Sequence, residues 1–88
     1  MSKEEFVDSL ELPFVGEMKL DDYVITLDNS NDFSRLYNIV SNNLDLTLDD
    51  DSITTTNNAL FIFFNDEYEI KLTADFNKDV YRMVVSDR

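Results

Sequence analysis

The chain is 88 residues long and carries 19 Asp and Glu against 7 Lys and Arg, a formal net charge of −12. Without cysteine or histidine there is no zinc finger, thiol nucleophile or histidine triad, and a single glycine excludes the phosphate-cradling loops, which need two or more. At 43% hydrophobic and 12% aromatic the chain is too apolar for a disordered acidic tail, so one small domain over residues 1–88 is expected.

The first residues, Met1 to Phe6, lack the basic stretch and long apolar run of a signal peptide. Ser2 with Glu5 three residues later makes a capping box, and Phe6, Val7 and Leu10 follow at helical spacing. This predicts a short helix over 3–11 within an N-terminal arm, residues 1–16, that is mobile or loosely packed. Pro13 ends that helix and Gly16 makes a turn. Residues 17–28 read as one strand, with Tyr23, Ile25 and Leu27 alternating against Val24 and Thr26. Asp28 to Asn31 supply turn and N-cap chemistry. Phe33, Leu36, Tyr37 and Val40 then fall at i, i+3, i+4 and i+7, which predicts a helix over 31–42.

Beyond it, Leu44, Leu46 and Leu48 alternate with Asp45, Thr47 and Asp49 as in a strand. Asp49-Asp50-Asp51-Ser52 breaks the pattern as a turn or bulge, and residues 53–56 resume extended character. After a turn at Asn57-Asn58, residues 59–64 are apolar on both faces, which predicts a central strand covered above and below. Asn65-Asp66 turns the chain into a strand where Tyr68, Ile70, Leu72 and Ala74 alternate with polar residues. Asn77-Lys78-Asp79 leads to the last strand, 80–85. The expected fold is α+β: an antiparallel sheet of four to five strands with helix 31–42 packed on one face and a short N-terminal helix. Phe6, Leu10 and Phe14 of the arm are expected to cover the second face, because monomers seldom leave large apolar patches open.

No metal loop fits. A calcium loop needs glycine at its sixth position and glutamate at its twelfth; counted from Asp45 these are Asp50 and Thr56, and from Asp28 they are Phe33 and Ile39. No nucleophile–base pair is available, and adjacent exposed carboxylates do not split their pKa values, so neither an enzyme nor a cofactor is expected. No apolar run is long enough to span a membrane. At −12 the surface repels nucleic acid and anionic lipid and attracts basic surfaces.

The acidic surface is therefore the functional candidate. Asp45, Asp49, Asp50 and Asp51 gather near one strand end, and Asp66, Glu67 and Glu69 lie on the next hairpin. Alternate strand residues are about 6.6 Å apart and neighbouring strands about 4.8 Å, whereas duplex DNA carries one charge per roughly 3.4 Å of each strand. One strand of alternating acids is too sparse to imitate DNA; two adjoining strands, or a strand with an acidic turn, come close. Solubility alone asks for a net charge of only about 2–8. Phe61 or Tyr68 is the candidate apolar anchor for a partner.

In size, acidity and helix-plus-antiparallel-sheet order, with the acids Asp45, Asp49, Asp50, Asp51, Asp66, Glu67 and Glu69 on short strands and turns, the chain resembles the small phage-encoded inhibitors, anti-CRISPR proteins and other DNA mimics among them. The resemblance implies a stoichiometric inhibitor in the cytoplasm of a bacterial host. It would occupy the basic nucleic-acid-binding site of a nuclease, with a CRISPR–Cas effector the first target to consider. Two other readings stand beside it. One is an immunity protein that neutralises a basic nuclease toxin. The other is a module that binds a peptide by strand addition at an open sheet edge, such as strand 80–85.

Overall fold

The computed structural model describes all residues 1–88. Helix α1 (Lys3–Ser9) opens on the expected reciprocal cap: Ser2 Oγ accepts from the Glu5 N–H and Glu5 Oε1 accepts from the Ser2 N–H, each at 3.1 Å. The Ser2 N–H first, and the Ser2 hydroxyl second, hold the Glu5 carboxyl below its usual range. Phe6, Val7 and Leu10 are buried, so the N-terminal segment is docked on the body of the protein. The 17–28 segment is a hairpin rather than one strand, formed by β1 (Glu17–Lys19) and β2 (Asp22–Leu27). Its tight turn places Leu20 at φ 56°, a region that favours Gly, Asn or Asp, so the local residue types do not announce it.

Helix α2 (Ser30–Ser41) is capped by Asn29, whose Oδ1 accepts from the Asp32 N–H at 2.9 Å. Phe33, Leu36 and Val40 are buried along one stripe. The remaining elements are β3 (Thr47–Leu48), β4 (Ile53–Thr54), β5 (Asn58–Phe64), β6 (Tyr68–Asp75) and β7 (Val80–Asp87). All pairings are antiparallel, in the order β1-β2-β7-β6-β5-β3, with β4 also on β5. The fold is α+β as expected, with seven strands instead of four to five. The surplus comes from the split of 17–28 and from two short pieces lying end to end along the outer edge of β5. The strand at 80–85 is not an edge: β7 lies between β2 and β6 and offers no free backbone to a peptide.

Both helices pack on the same face of the sheet. Phe6 stacks on Tyr68 with ring centroids 4.8 Å apart, Phe33 meets Tyr81 at 5.2 Å, and Tyr37 meets Phe61 at 4.7 Å. Lys3 clamps α1 to the end of β7 through Asp87 at 3.0 Å, a bond that raises the Lys3 pKa. The N-terminal segment thus does not cover the second face, and β5 is not central; on its far side Ile62 is buried beside the 49–52 segment, while Leu60 and Phe64 are only half-buried. Six strands at about 4.8 Å spacing make a face about 24 Å wide, while the 12 residues of α2 make a rod about 18 Å long and 10 Å across. One helix leaves part of the apolar face bare, and α1 fills that gap. Gly16 is needed here for space, not for its φ: a Cβ would strike the Val24 carbonyl oxygen and lie 2.7 Å from both Ile25 and Tyr23, and its N–H donates to Tyr23 Oη at 3.0 Å.

Candidate partner-binding surface

Downstream of α2, Asn43 Oδ1 accepts from the Asp45 N–H at 2.9 Å and its carbonyl from the Leu46 N–H at 3.2 Å. This turn replaces the first half of the expected leucine strand. Leu44 stands 99% exposed beside Asp45, and pairing begins only at Thr47. Asn side chains compete well for local backbone bonds, which is why a turn displaces the period-two pattern here.

The edge strand is then interrupted. Leu48 pairs with Phe63 and Ile53 with Leu60, so residues 49–52 stand opposite only Phe61 and Ile62. The extra residues form a bulge pinned at both ends to one partner: the Asp49 N–H donates to the Ile62 carbonyl at 2.7 Å, and Ser52 Oγ accepts from the Ile62 N–H at 2.9 Å. Asp49 Oδ1 in turn accepts from the Asp51 N–H at 2.8 Å. Asp50 and Asp51 are exposed. A charged bulge on an edge strand also discourages pairing with other sheets.

At the end of the sheet, Asn65 Oδ1 accepts from the Glu67 N–H at 2.9 Å and the Tyr68 N–H at 2.7 Å, shaping the β5–β6 turn. Asp66 and Glu67 on that turn line one depression together with Asp45. The aspartate bulge borders another, with Thr47, Leu48 and Phe64. Asp45 and Asp49 are separated along the chain by Leu46 and β3, at most about 13 Å of extended chain. None of Asp45, Asp49, Asp50, Asp51, Asp66 and Glu67 has an ion-pair partner; the four ion pairs are Lys3–Asp87, Lys19–Glu17, Arg35–Asp32 and Lys71–Glu69.

Glu69 does not join this array. It lies on the sheet face away from the helices, 3.7 Å from the Lys71 ammonium. Nor is Tyr68 presented to a partner: it is 5% exposed, stacks on Phe6, and donates its hydroxyl proton to the Met1 carbonyl, and burial raises its pKa. Phe61 is half-buried and remains accessible in a groove with Phe33, Tyr37 and Phe76. Two features escaped the sequence reading. Leu48 and Ile53, which flank the bulge, are 49% and 59% exposed, and Arg88 lies over the Phe64 ring at 3.6 Å. The leucine alternation pointed to burial of Leu48, and no local signal marks Arg88.

No three carboxylates come close enough to hold a metal ion, and no helix is long and apolar enough to cross a membrane. No protein-family model, curated protein or solved structure matches the chain.

Proposed function

We propose that the protein is a stoichiometric inhibitor that binds a basic nucleic-acid enzyme of a bacterial host, in the cytoplasm, and holds carboxylates where nucleic-acid phosphates would lie. The observation that carries this reading is the Asp49–Asp51 bulge, three adjacent carboxylates fixed to the edge of a sheet with no cation to neutralise them. Asp45, Asp66 and Glu67 extend the negative surface beyond β3, and the groove at Phe61 offers an apolar anchor. Lys and Arg of a partner that bound phosphates would meet these carboxylates instead. Association would be electrostatically steered and strongly weakened by salt. The chemistry needs no cofactor and turns over no substrate. A CRISPR–Cas effector is the first target to test.

The test is capture from a bacterial lysate on the tagged protein, elution by rising salt, and mass spectrometry of what elutes. The expected result is a basic nucleic-acid enzyme released between moderate and high salt, and not captured by the Asp49→Lys/Asp50→Lys/Asp51→Lys variant. A secreted nuclease toxin in its place would make the protein an immunity protein by the same physics. Partners that persist at high salt, or bind the variant equally, contradict the electrostatic reading.

A further inference from the structure

Of the seven phenylalanines, three are buried and four reach the surface. Two of these four are covered by a cation of the chain itself: Arg35 lies 5.6 Å over the Phe14 ring and Arg88 lies 3.6 Å over the Phe64 ring. The other two, Phe61 and Phe76, carry no cation, and both line the groove between α2, β5 and the β6–β7 turn. Tyr37 packs on Phe61 with ring centroids 4.7 Å apart. Phe33 and Phe76 both pack on the Tyr81 ring, at 5.2 and 6.0 Å. Ser34 and Asn38 complete the lining, so the groove has no charged residue of its own. Its volume of about 370 Å³ is at the lower end for ligand pockets and suits one inserted side chain.

The charge around this groove is negative. Tyr81 donates its hydroxyl proton to Asp79 at 3.0 Å, which holds a carboxylate at the end of the aromatic cluster. Asp75 and Asp79 flank the β6–β7 turn without an ion-pair partner, against one cation on that turn, Lys78. Across one strand pairing, the aspartate bulge stands opposite Phe61 and Ile62. Aromatic faces in a negative field select a cation. A guanidinium suits them best, because it is planar, stacks on rings and is more weakly hydrated than an ammonium.

We propose that the groove takes an arginine side chain of the basic partner, its guanidinium stacked against Phe61 and Phe76 in the field of Asp75 and Asp79. Phe61 thereby serves as a cation-binding ring rather than a plain apolar anchor. Arginine is the residue of choice on phosphate-binding surfaces, so a partner that the bulge attracts also brings the occupant. The proposal deepens the inhibitor reading and rests on it for the kind of partner, but not for the chemistry of the groove.

Nuclear magnetic resonance titration of the labelled chain tests this with three blocked peptides: Gly-Arg-Gly-Arg-Gly, its lysine analogue and its citrulline analogue. The arginine peptide is expected to move the ring signals of Phe61, Phe76 and Tyr37 to saturation. The lysine peptide, of equal charge, is expected to move the amides of the aspartate bulge and not these rings. The citrulline peptide, planar but uncharged, is expected to move neither. Phe76→Leu, at an exposed turn, keeps apolar volume and removes one ring. It is expected to raise the dissociation constant read at Tyr37 about two- to fivefold, and Phe61→Leu/Phe76→Leu about tenfold. Amide spectra show whether each variant folds. Rings that stay still with arginine, rings that respond equally to lysine or citrulline, or a folded Phe76→Leu protein that binds like wild type overturn the proposal. Capture of no basic nucleic-acid enzyme from a lysate would overturn the inhibitor reading and leave this titration unchanged, so the two failures are told apart.

Discussion

The two faces of the sheet come from the same strands and face opposite demands. On β6, Tyr68, Ile70, Leu72 and Ala74 are buried beneath the helices, while Glu69, Lys71 and Thr73 alternate with them on the open side. On β7, Tyr81, Met83 and Val85 are buried, while Arg82, Val84 and Ser86 face outward. β5 departs from this alternation: Ala59 and Phe63 join the core, and Leu60, Ile62 and Phe64 on the other side are apolar too. Helices follow apolar density, and a strand that is apolar on both sides does not bring a second layer with it when the neighbouring strands are polar there.

Truncating one residue on each face separates the two most clearly. Leu72 is fully buried under the helices, so Leu72→Ala is expected to cost about 2–5 kcal/mol in urea unfolding. Val84→Ala on the open face is expected to cost about 1 kcal/mol or less. Equal losses would mean that the open face is as tightly packed as the covered one.

Next in size is the seam between the N-terminal segment and β2. Gly16→Ala is expected to destabilise by about 1–3 kcal/mol, because the new methyl meets the Val24 carbonyl and two side chains. A neutral effect would show that this seam moves freely.

The covered face also depends on the cap of α1. Ser2→Ala is expected to cost about 1 kcal/mol. Because the folded Glu5 carboxyl titrates below its unfolded value, the stability it supplies is present above the unfolded pKa and is lost as pH falls through the folded one. Glu5→Gln should flatten that acid limb of the stability profile. At the other extreme, Lys3 is raised first by its hydrogen bond to Asp87, and Tyr68 and Tyr81 are raised first by burial. Their folded values lie above the unfolded ones, so their contribution is whole below about pH 10 and is lost as pH rises through the folded values. Both limbs can be read from urea midpoints against pH.

The smallest effect on stability is expected at the bulge. Asp50→Asn/Asp51→Asn should change stability by about 0.5 kcal/mol or less, since both side chains are exposed and unpaired. The same variant should lose affinity for a basic partner. A large loss of stability would make the aspartates structural.

Much of this architecture is legible in single elements. The Ser2/Glu5 box, the Phe33–Val40 stripe and the β6 alternation each declare themselves within a few residues, because caps and periodicity are local. The placement of the aspartate run at a bulge was also readable, since three consecutive acids cannot continue a half-buried strand. What escaped is non-local or rests on a turn of unusual residues. The Tyr81/Met83/Val85 alternation shows that one side of the strand is buried and says nothing of its neighbours, so β7 passed for an edge. Leu20 at positive φ hid a hairpin, and Asn43 turned Leu44 outward from an otherwise faultless alternation. The acidic residues were visible one by one. That Glu69 belongs to the opposite face, and that Tyr68 is sealed by Phe6, emerges only once the sheet and α1 are assembled.

On the proposed reading, the aspartate bulge and its neighbours stand in for nucleic acid. The most direct measurement is a titration of a nuclease captured by this protein, bound to labelled DNA or RNA, with the protein at several salt concentrations. The expected result is complete displacement of the nucleic acid at one equivalent, an affinity that falls steeply with salt, and no displacement by Asp49→Lys/Asp50→Lys/Asp51→Lys. Binding that leaves the nucleic acid in place, or that the triple reversal does not weaken, would contradict it.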